Sequence, residues 1–397
     1  MNAAFHDTLL NLSAHPVGWP LARLARRMGG MVRVPGLGIV VNDAELAHEI
    51  LVRDDDFTKN GPGSLSRTMT ELLGPFALGN MDGEPHRQLR SRLADVVSAG
   101  QARELLAAAE PMLLQLRRDL VAGATVDLVA FMRTMSGRIT FDMLGVALPV
   151  GGEDATCLAL VALGERIASG FDLRTPSERR LRDARACCDR LTAYIRTGYD
   201  ASDAPRTSFV RRLREAGLSF EEAKGVISLI FLAGTLTTAA ALPRIVALLA
   251  DDGHLPRLRA RAESLHGAIA EGLRFTTPVP ATVRIARRAV VLGGHHIAAG
   301  TRLVILTCNL ARDARLFPDP DRFDPDRVHD ARARHLWFGA GPHFCLGFGV
   351  AQLQLRRVLE TVLADSGRLM IVRRRAARGV IVAAYARLDV RLDVAVA

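Results

Sequence analysis

Phe338-Gly339-Ala340-Gly341-Pro342-His343-Phe344-Cys345-Leu346-Gly347 is the stretch on which the fold of this 397-residue chain is decided. It sets one cysteine among three glycines and a proline, ahead of an amphipathic helix expected from about Leu346 to Ala364. A thiolate at a helix N-terminus is stabilised by unpaired backbone N–H groups and by the positive end of the helix dipole. Gly339, Gly341 and Gly347 let the backbone approach a large flat group closely and adopt conformations closed to other residues. Phe338 supplies a ring to pack on such a group, and His343 a donor for an anionic edge. A dinucleotide-binding turn fits less well: it needs G-x-G-x-x-G, and Phe344 stands at the third glycine position. A structural zinc site needs four ligands, of which only His343 and Cys345 are near in sequence. A catalytic cysteine with His343 as base remains open, though such pairs usually meet across a fold. So does a plain glycine-rich turn.

The rest of the chain bounds the answer. No stretch has the composition of a linker or a repeat, and 49% hydrophobic residues with mixed charge suit one globular domain over 1–397. The net charge of +10 reflects 52 Lys+Arg against 42 Asp+Glu. Nucleic acid is not an expected partner. The arginines are scattered in pairs such as Arg117-Arg118, Arg179-Arg180 and Arg211-Arg212, and three tyrosines with two tryptophans offer little for base stacking. Among the five cysteines there is no C-x-x-C, so Cys157, Cys187, Cys188 and Cys308 are expected as buried side chains in a reducing compartment. The N-terminus lacks a secretory pattern, and a cytoplasmic location is expected. Gly225 to Pro243 is uncharged and long enough to span a bilayer. Its centre is Gly234-Thr235-Leu236-Thr237-Thr238, so a long core helix is expected and no membrane partner.

Residues 31–42 predict a hairpin around Pro35-Gly36, and Asp43 a helix cap ahead of a helix to about Arg53. A 3.6-residue apolar period predicts helices over 84–98, 101–122, 127–145, 153–170, 176–199, 207–216 and 219–250. Ser219 with Glu222 forms a capping box at the start of the last. Val290–Ile297 and Thr301–Leu306 predict strands, as does a stretch holding Cys308, with further strands at the C-terminus.

The complete pattern F-G-x-G-x-H-x-C-x-G resembles the haem-binding signature of the cytochrome P450 family, and weaker marks of that family recur in order over nearly the whole chain. The resemblance implies a mostly α, single-domain cytochrome P450 fold, helix-rich with small β-sheets near the N-terminus and in the C-terminal third. It implies haem b as cofactor and Cys345 as its thiolate ligand. His86 and Arg90, four apart on one helix face, match the family's haem-propionate contacts. Arg284 resembles a third, contributed from a strand. Phe338, Gly339, His343 and Gly347 complete the cofactor contacts. Glu271-Gly272-Leu273-Arg274, followed by Pro320-Asp321-Arg322-Phe323, is similar to the family's buried Glu-Arg-Arg network, with Glu271, Arg274 and Arg322 bracing the cysteine loop.

Ala233-Gly234-Thr235-Leu236-Thr237-Thr238 resembles the family's oxygen-binding stretch A-G-x-(Asp/Glu)-T-T. Gly234 weakens the helix and the hydroxyls of Thr237 and Thr238 compete for its carbonyls, so a local opening is expected there. Thr237 matches the alcohol that helps protons reach dioxygen. Leu236 replaces the family's acid, a departure that points to altered proton delivery. The implied activity is insertion of one oxygen atom of O2 into a small apolar molecule of secondary metabolism, such as a terpenoid, steroid or polyketide. Electrons would come from a ferredoxin and its ferredoxin reductase, docking on a basic face that includes Arg356 and Arg357. The alternative is an atypical haem-thiolate protein: peroxide-dependent, non-hydroxylating or a sensor. Family analogy draws the substrate pocket from Leu72, Leu73, Phe76, Leu232, Ala233, Val279, Val283 and Ile381.

Overall fold

The longest apolar run becomes one helix, Phe220–Asp251, in a computed structural model that describes residues 3–61, 64–94, 96–97, 99–171, 177–329, 333 and 335–393. Its start is the capping box: Ser219 Oγ accepts from the Glu222 N–H, and Glu222 Oε2 accepts from the Ser219 N–H at 2.8 Å. The helix is long and apolar enough to cross a bilayer, yet 61% of its most apolar window is buried inside the protein. It serves two hydrophobic clusters. Val226, Ile227 and Phe231 pack with Leu160, Leu191, Ile195 and Phe209. About four turns further on, Ile245, Val246 and Leu249 pack with Leu273, Val358 and Leu359.

The helix Leu265–Thr276 lies against this core helix because Gly272 permits it. An added Cβ there would stand 2.7 Å from Ile245 Cγ1. That approach carries Glu271 and Arg274 into the interior, where both are fully buried.

A five-stranded sheet runs Met31–Val34, Gly38–Val41, Arg302–Ile305, Thr282–Ala286, Phe57–Thr58. The expected hairpin is its outer pair, and Asp43 accepts from the Leu46 N–H to cap Ala44–Val52. On the opposite edge Thr58 pairs with Ile285 in antiparallel register, so the chain leaves that edge at Lys59 beside Arg284. A second sheet joins Val126–Asp127 to the C-terminal hairpin Arg368–Ala376 and Tyr385–Asp393. Val290–Leu292 and His295–Ile297 form a separate hairpin through Gly293 and Gly294, both at positive φ.

Three expectations change. The helix predicted over 101–122 is two, Ala99–Ala107 and Glu110–Val121, with Pro111 in the first turn of the second, where a missing N–H costs nothing. The helix predicted over 84–98 is Gly83–Arg92. Cys308 sits in the short helix Thr307–Leu310 rather than in a strand, its backbone N–H donating to Pro280 O.

The N-terminal helices α1 (Ala3–Ala14) and α2 (Gly18–Met28) had no counterpart in the sequence pattern. A buried charge anchors α1: Asp7 Oδ1 accepts from both Nε and Nη2 of Arg244, a residue of the core helix that is only 1% exposed. Arg244 Nη1 also donates to Ala383 O in the turn of the C-terminal hairpin.

Candidate active site

Cys345 lies three residues ahead of the helix Phe348–Leu363. Its own N–H donates to Phe338 O at 3.0 Å, closing the loop on itself. Gly339 and Gly341 have φ of 80° and 61°, where a side chain is strained. At Gly341 a Cβ would also lie 2.8 Å from Val52 Cα, so glycine is required twice over. Gly347 has an ordinary φ of −87°, and an added Cβ would meet no protein atom within 4 Å. Phe338, Phe344 and Phe348 cluster around the loop, with Phe338 and Phe348 edge to face at 4.9 Å.

The thiols differ in kind. Burial pushes Cys157 and Cys308 up to about 11 and Cys188 up to about 12, as expected of inert core side chains. Burial also raises Cys345, but the Gly347 N–H and the Arg90 charge pull it back. Contrary to the sequence-based expectation, the helix terminus alone therefore does not make it a thiolate; a bound metal, which displaces the thiol proton, would do so. The catalytic-cysteine alternative loses its base, because His343 stacks on His86 with ring centroids 4.2 Å apart and turns Nε2 to within 3.4 Å of Asp82 Oδ1. Among the described residues no group of three or more His, Cys, Asp or Glu side chains is placed to hold a metal, which removes the zinc alternative.

His86, Arg90, Arg284 and His343 lie in one neighbourhood. Arg90 Nη2 donates to Phe344 O at 2.7 Å and so ties its helix to the cysteine loop. Arg284 is buried; its side chain reaches only Thr282 Oγ1 and Val283 O and is within ion-pair distance of no carboxylate among the described residues. Burial lowers it to about 10. Burial, with the charges of Lys59 and Arg90, lowers His86 to about 4. His343 is lowered to about 4 by burial, against the pull of Asp82. In the protein alone both imidazoles are neutral at pH 7, so the cations of this wall are Arg90, Arg284 and one that sequence reasoning missed. That residue is Lys59, whose ammonium burial and the neighbouring Arg284 push down to about 7. Only the strand register, Thr58 against Ile285, reveals it.

Such a wall is costly without anions, since a buried guanidinium lacking a counter-charge is unfavourable. His86 Nδ1 is likewise buried without a hydrogen-bond partner among the described residues, and His343 Nε2 has only its 3.4 Å contact with Asp82 Oδ1. The two propionates of haem b would supply the carboxylates that these groups lack, and the residues present fit that cofactor.

The core helix forms the other side. Ala233 and Gly234 are exposed although Leu232 and Thr235 beside them are buried, and a Cβ on Gly234 would meet nothing within 4 Å. The expected opening is not there: the helix is continuous, with Thr237 Oγ1 donating to Ala233 O at 2.6 Å and Thr238 Oγ1 to Gly234 O at 2.7 Å. Back-bonding to the preceding turn satisfies both hydroxyls inside the helix. Leu236 is half-buried. Of the pocket residues, Leu72, Leu73 and Leu232 are buried in the cluster around Phe231, and Phe76 packs against it. Val279 and Ile381 are exposed and Val283 is half-buried.

The bracing network holds with one correction. Arg274 donates to both oxygens of Glu271, at 2.6 and 2.7 Å, and to Ala311 O and Pro320 O. The third arginine is Arg327, not Arg322: Arg327 Nε donates to Glu271 Oε1 at 3.2 Å. Arg322 is exposed and contributes only its carbonyl, to Arg274 and Arg327. The run Pro320-Asp321-Arg322-Phe323-Asp324-Pro325-Asp326-Arg327 holds two Pro-Asp-Arg turns, and Phe323 decides between them. Its ring is buried against Phe275 at 5.6 Å, which leaves Arg322 facing outward.

A cytochrome P450 family model matches residues 257–365. The chain is similar to erythromycin C-12 hydroxylase of Saccharopolyspora erythraea, 30% identical over 75% of each chain. It is 33% identical to cytochrome P450-SU2 of Streptomyces griseolus, over 71% of this chain and 68% of the other. In fold it resembles a cytochrome P450 enzyme of Bacillus subtilis, with a TM-score of 0.77 at 21% identity, over 96% of this chain and 100% of that one. The chain belongs to the cytochrome P450 family and is a haem b monooxygenase of the bacterial type.

Proposed function

We propose that Cys345 is the thiolate ligand of the haem and that the enzyme inserts one oxygen atom of O2 into an apolar secondary metabolite, with electrons from a ferredoxin and its reductase. The observation that carries this is the basic wall beside the cysteine loop, where, among the described residues, buried Arg284 has no carboxylate within ion-pair distance and buried His86 Nδ1 has no hydrogen-bond partner. Bound haem supplies dioxygen activation, and a thiolate ligand favours O–O cleavage. The chain's residues do the rest. Arg284, Lys59, Arg90, His86 and His343 hold the propionate edge, and the Glu271 network holds the loop. Thr237 Oγ1 passes a proton toward the exposed face of Ala233 and Gly234 after releasing Ala233 O.

The names of similar proteins, erythromycin C-12 hydroxylase and a 20-oxo-5-O-mycaminosyltylactone 23-monooxygenase of Streptomyces fradiae, support a polyketide among the substrate classes. Electron delivery by an acidic ferredoxin is supported by a depression of about 250 Å³ beside the helix after Cys345, lined by Arg103, His266, Gln352 and Arg356. Arg356 and Arg357 are both weaker candidates than the sequence suggests, since Glu360 pairs with Arg356 at 2.7 Å and with Arg357 at 3.3 Å, and Glu110 also holds Arg357. Leu236 favours a second reading, peroxide-dependent or non-hydroxylating turnover. One experiment tests the proposal: the ferrous carbonyl spectrum of wild type and Cys345→Ser, with ferredoxin-supported product formation over a panel of apolar compounds. A red-shifted Soret band lost in the variant, and product only with both electron carriers, are expected. A band that survives the substitution removes Cys345 as ligand; product with peroxide alone moves the enzyme to the second reading.

A further inference from the structure

Val17, Leu21, Leu24 and Met28 fall at i, i+4, i+7 and i+11 and form one stripe along α2 and the residue before it. Each is 54–62% exposed. The other side of α2 is fastened down. Trp19 is buried, Ala22 O accepts from Asn309 Nδ2, Ala25 O accepts from Asn42 Nδ2, and Arg23 and Arg26 pair with Asp321. The helix is therefore fixed in an orientation that turns four large apolar side chains to water. On α1, Phe5 and Leu9, four apart, are also exposed. A contiguous apolar stripe of this kind marks an interaction site rather than ordinary surface.

We propose that α2, with the outer face of α1, seats the protein on an anionic lipid surface. Charge favours this occupant. Residues 3–42 contain four arginines and a single carboxylate, Asp7, which is buried on Arg244; Arg23 and Arg26 share Asp321, which leaves Arg27 and Arg33, among the described residues, as the free charge of this segment. Arg27 and Arg33 are exposed, as are Arg375 and Arg378 of the C-terminal hairpin. Those two line a cavity of about 470 Å³ with Ser13 at the end of α1. The shape favours it too. The α2 stripe is a convex helix face of Leu, Val and Met that exposes neither Trp nor Tyr, since Trp19 turns inward, whereas protein interfaces concentrate much of their energy on those two residues. An arginine-flanked helix with one apolar face is the form that lies in a lipid interface rather than spanning it. The sequence-based expectation of no membrane partner weighed only spanning segments.

The end of α1 is also bonded to the hairpin turn that carries Ile381. Gly379 N donates to Ser13 O, and His15 Nε2 lies 3.1 Å from Ile381 O. If Ile381 lines the substrate pocket, the lipid contact lies beside the way in for an apolar substrate. That clause rests on the proposed function; the lipid contact does not.

The test is co-sedimentation of haem-loaded protein with vesicles of phosphatidylcholine alone or mixed with phosphatidylglycerol, alongside molar mass in solution. The wild type is expected to pellet with the anionic vesicles and to be released by salt. Leu21→Glu with Leu24→Glu should lower partitioning about tenfold or more, through lost apolar burial and added like charge. Arg27→Glu should weaken it without abolishing it. Both variants should keep the wild-type carbonyl spectrum, which separates this result from any failure of the haem assignment. Wild type that stays in the supernatant, or a double variant that pellets equally, overturns the proposal. A concentration-dependent dimer that the double variant abolishes gives the stripe to a second copy and overturns it as well.

Discussion

Glu271 and Asp7 are both buried carboxylates that answer buried arginines, but they hold different things. Glu271 accepts from Arg274 three residues away in its own helix, from Arg327, and from the Asp324 N–H, and so binds the helix to the loop that leads to Cys345. Asp7 accepts from Arg244, 237 residues away, and from Asn11, and binds the first helix to the core helix and the C-terminal hairpin. The first is a local pair that a short motif can spell. The second exists only once the chain has folded, and it shows that burial of charge need not be written anywhere along the sequence.

Breaking the Glu271 system should have the largest effect. Glu271→Ala leaves Arg274, fully buried, with backbone carbonyls but no counter-charge, a loss of about 3–5 kcal/mol. The denaturant midpoint should fall and haem should be released, because the same network holds the cysteine loop. Acid should do the same to the wild type. Hydrogen bonds from Arg274 and His329 outweigh burial and hold Glu271 at about 2, below its ordinary 4.5. A carboxyl with a lowered folded pKa stabilises fully above the unfolded value, so this contribution is lost as pH falls from 4.5 toward about 2. Asp7→Ala should cost somewhat less, about 3 kcal/mol, because Arg244 keeps Ala383 O, and buried Arg312, whose Nη2 lies 3.7 Å from Asp7 Oδ2, keeps Asp321. It should leave haem retention near wild type. Equal haem loss in the two variants would erase the functional difference drawn here between them.

A smaller effect separates two arginines that look alike in the sequence. Arg327→Ala should cost about 1–3 kcal/mol through a lost charge-assisted bond to Glu271, whereas Arg322→Ala should stay within about 0.5 kcal/mol, because its side chain is in solvent. Urea melts of the two variants check this, and the reverse order would restore Arg322 to the network.

What was legible follows the same division. The loop around Cys345, the Glu271–Arg274 pair, the capping box at Ser219 and the hairpin at 31–42 are local patterns with local causes, and the structure has them where the pattern puts them. Lys59 became visible only through the pairing of Thr58 with Ile285, and Arg327 only through the burial of Phe323. The α1 helix owes its seat to Asp7 and Arg244, so its own periodicity was a poor guide. The opening expected at Gly234 failed for a physical reason: glycine weakens a helix, but packing on both halves of Phe220–Asp251 outweighs one weak residue.

Leu236 tests whether the core helix is as settled in chemistry as it is in packing. It is half-buried, one residue from Thr237, whose hydroxyl is occupied by Ala233 O. Leu236→Asp would place a carboxyl where a proton can be relayed to Thr237 Oγ1 and would cost little stability, since the position is not in the dry core. The expected result is a change of about twofold or more in product formed per electron pair consumed, with released peroxide moving the opposite way, because general acids act through just such positioned groups. The readout is product, nicotinamide cofactor consumed and peroxide, measured together on the same substrate. An unchanged ratio would mean that protons already reach the site by a path that does not pass position 236, and that Thr237 rather than its neighbour sets delivery.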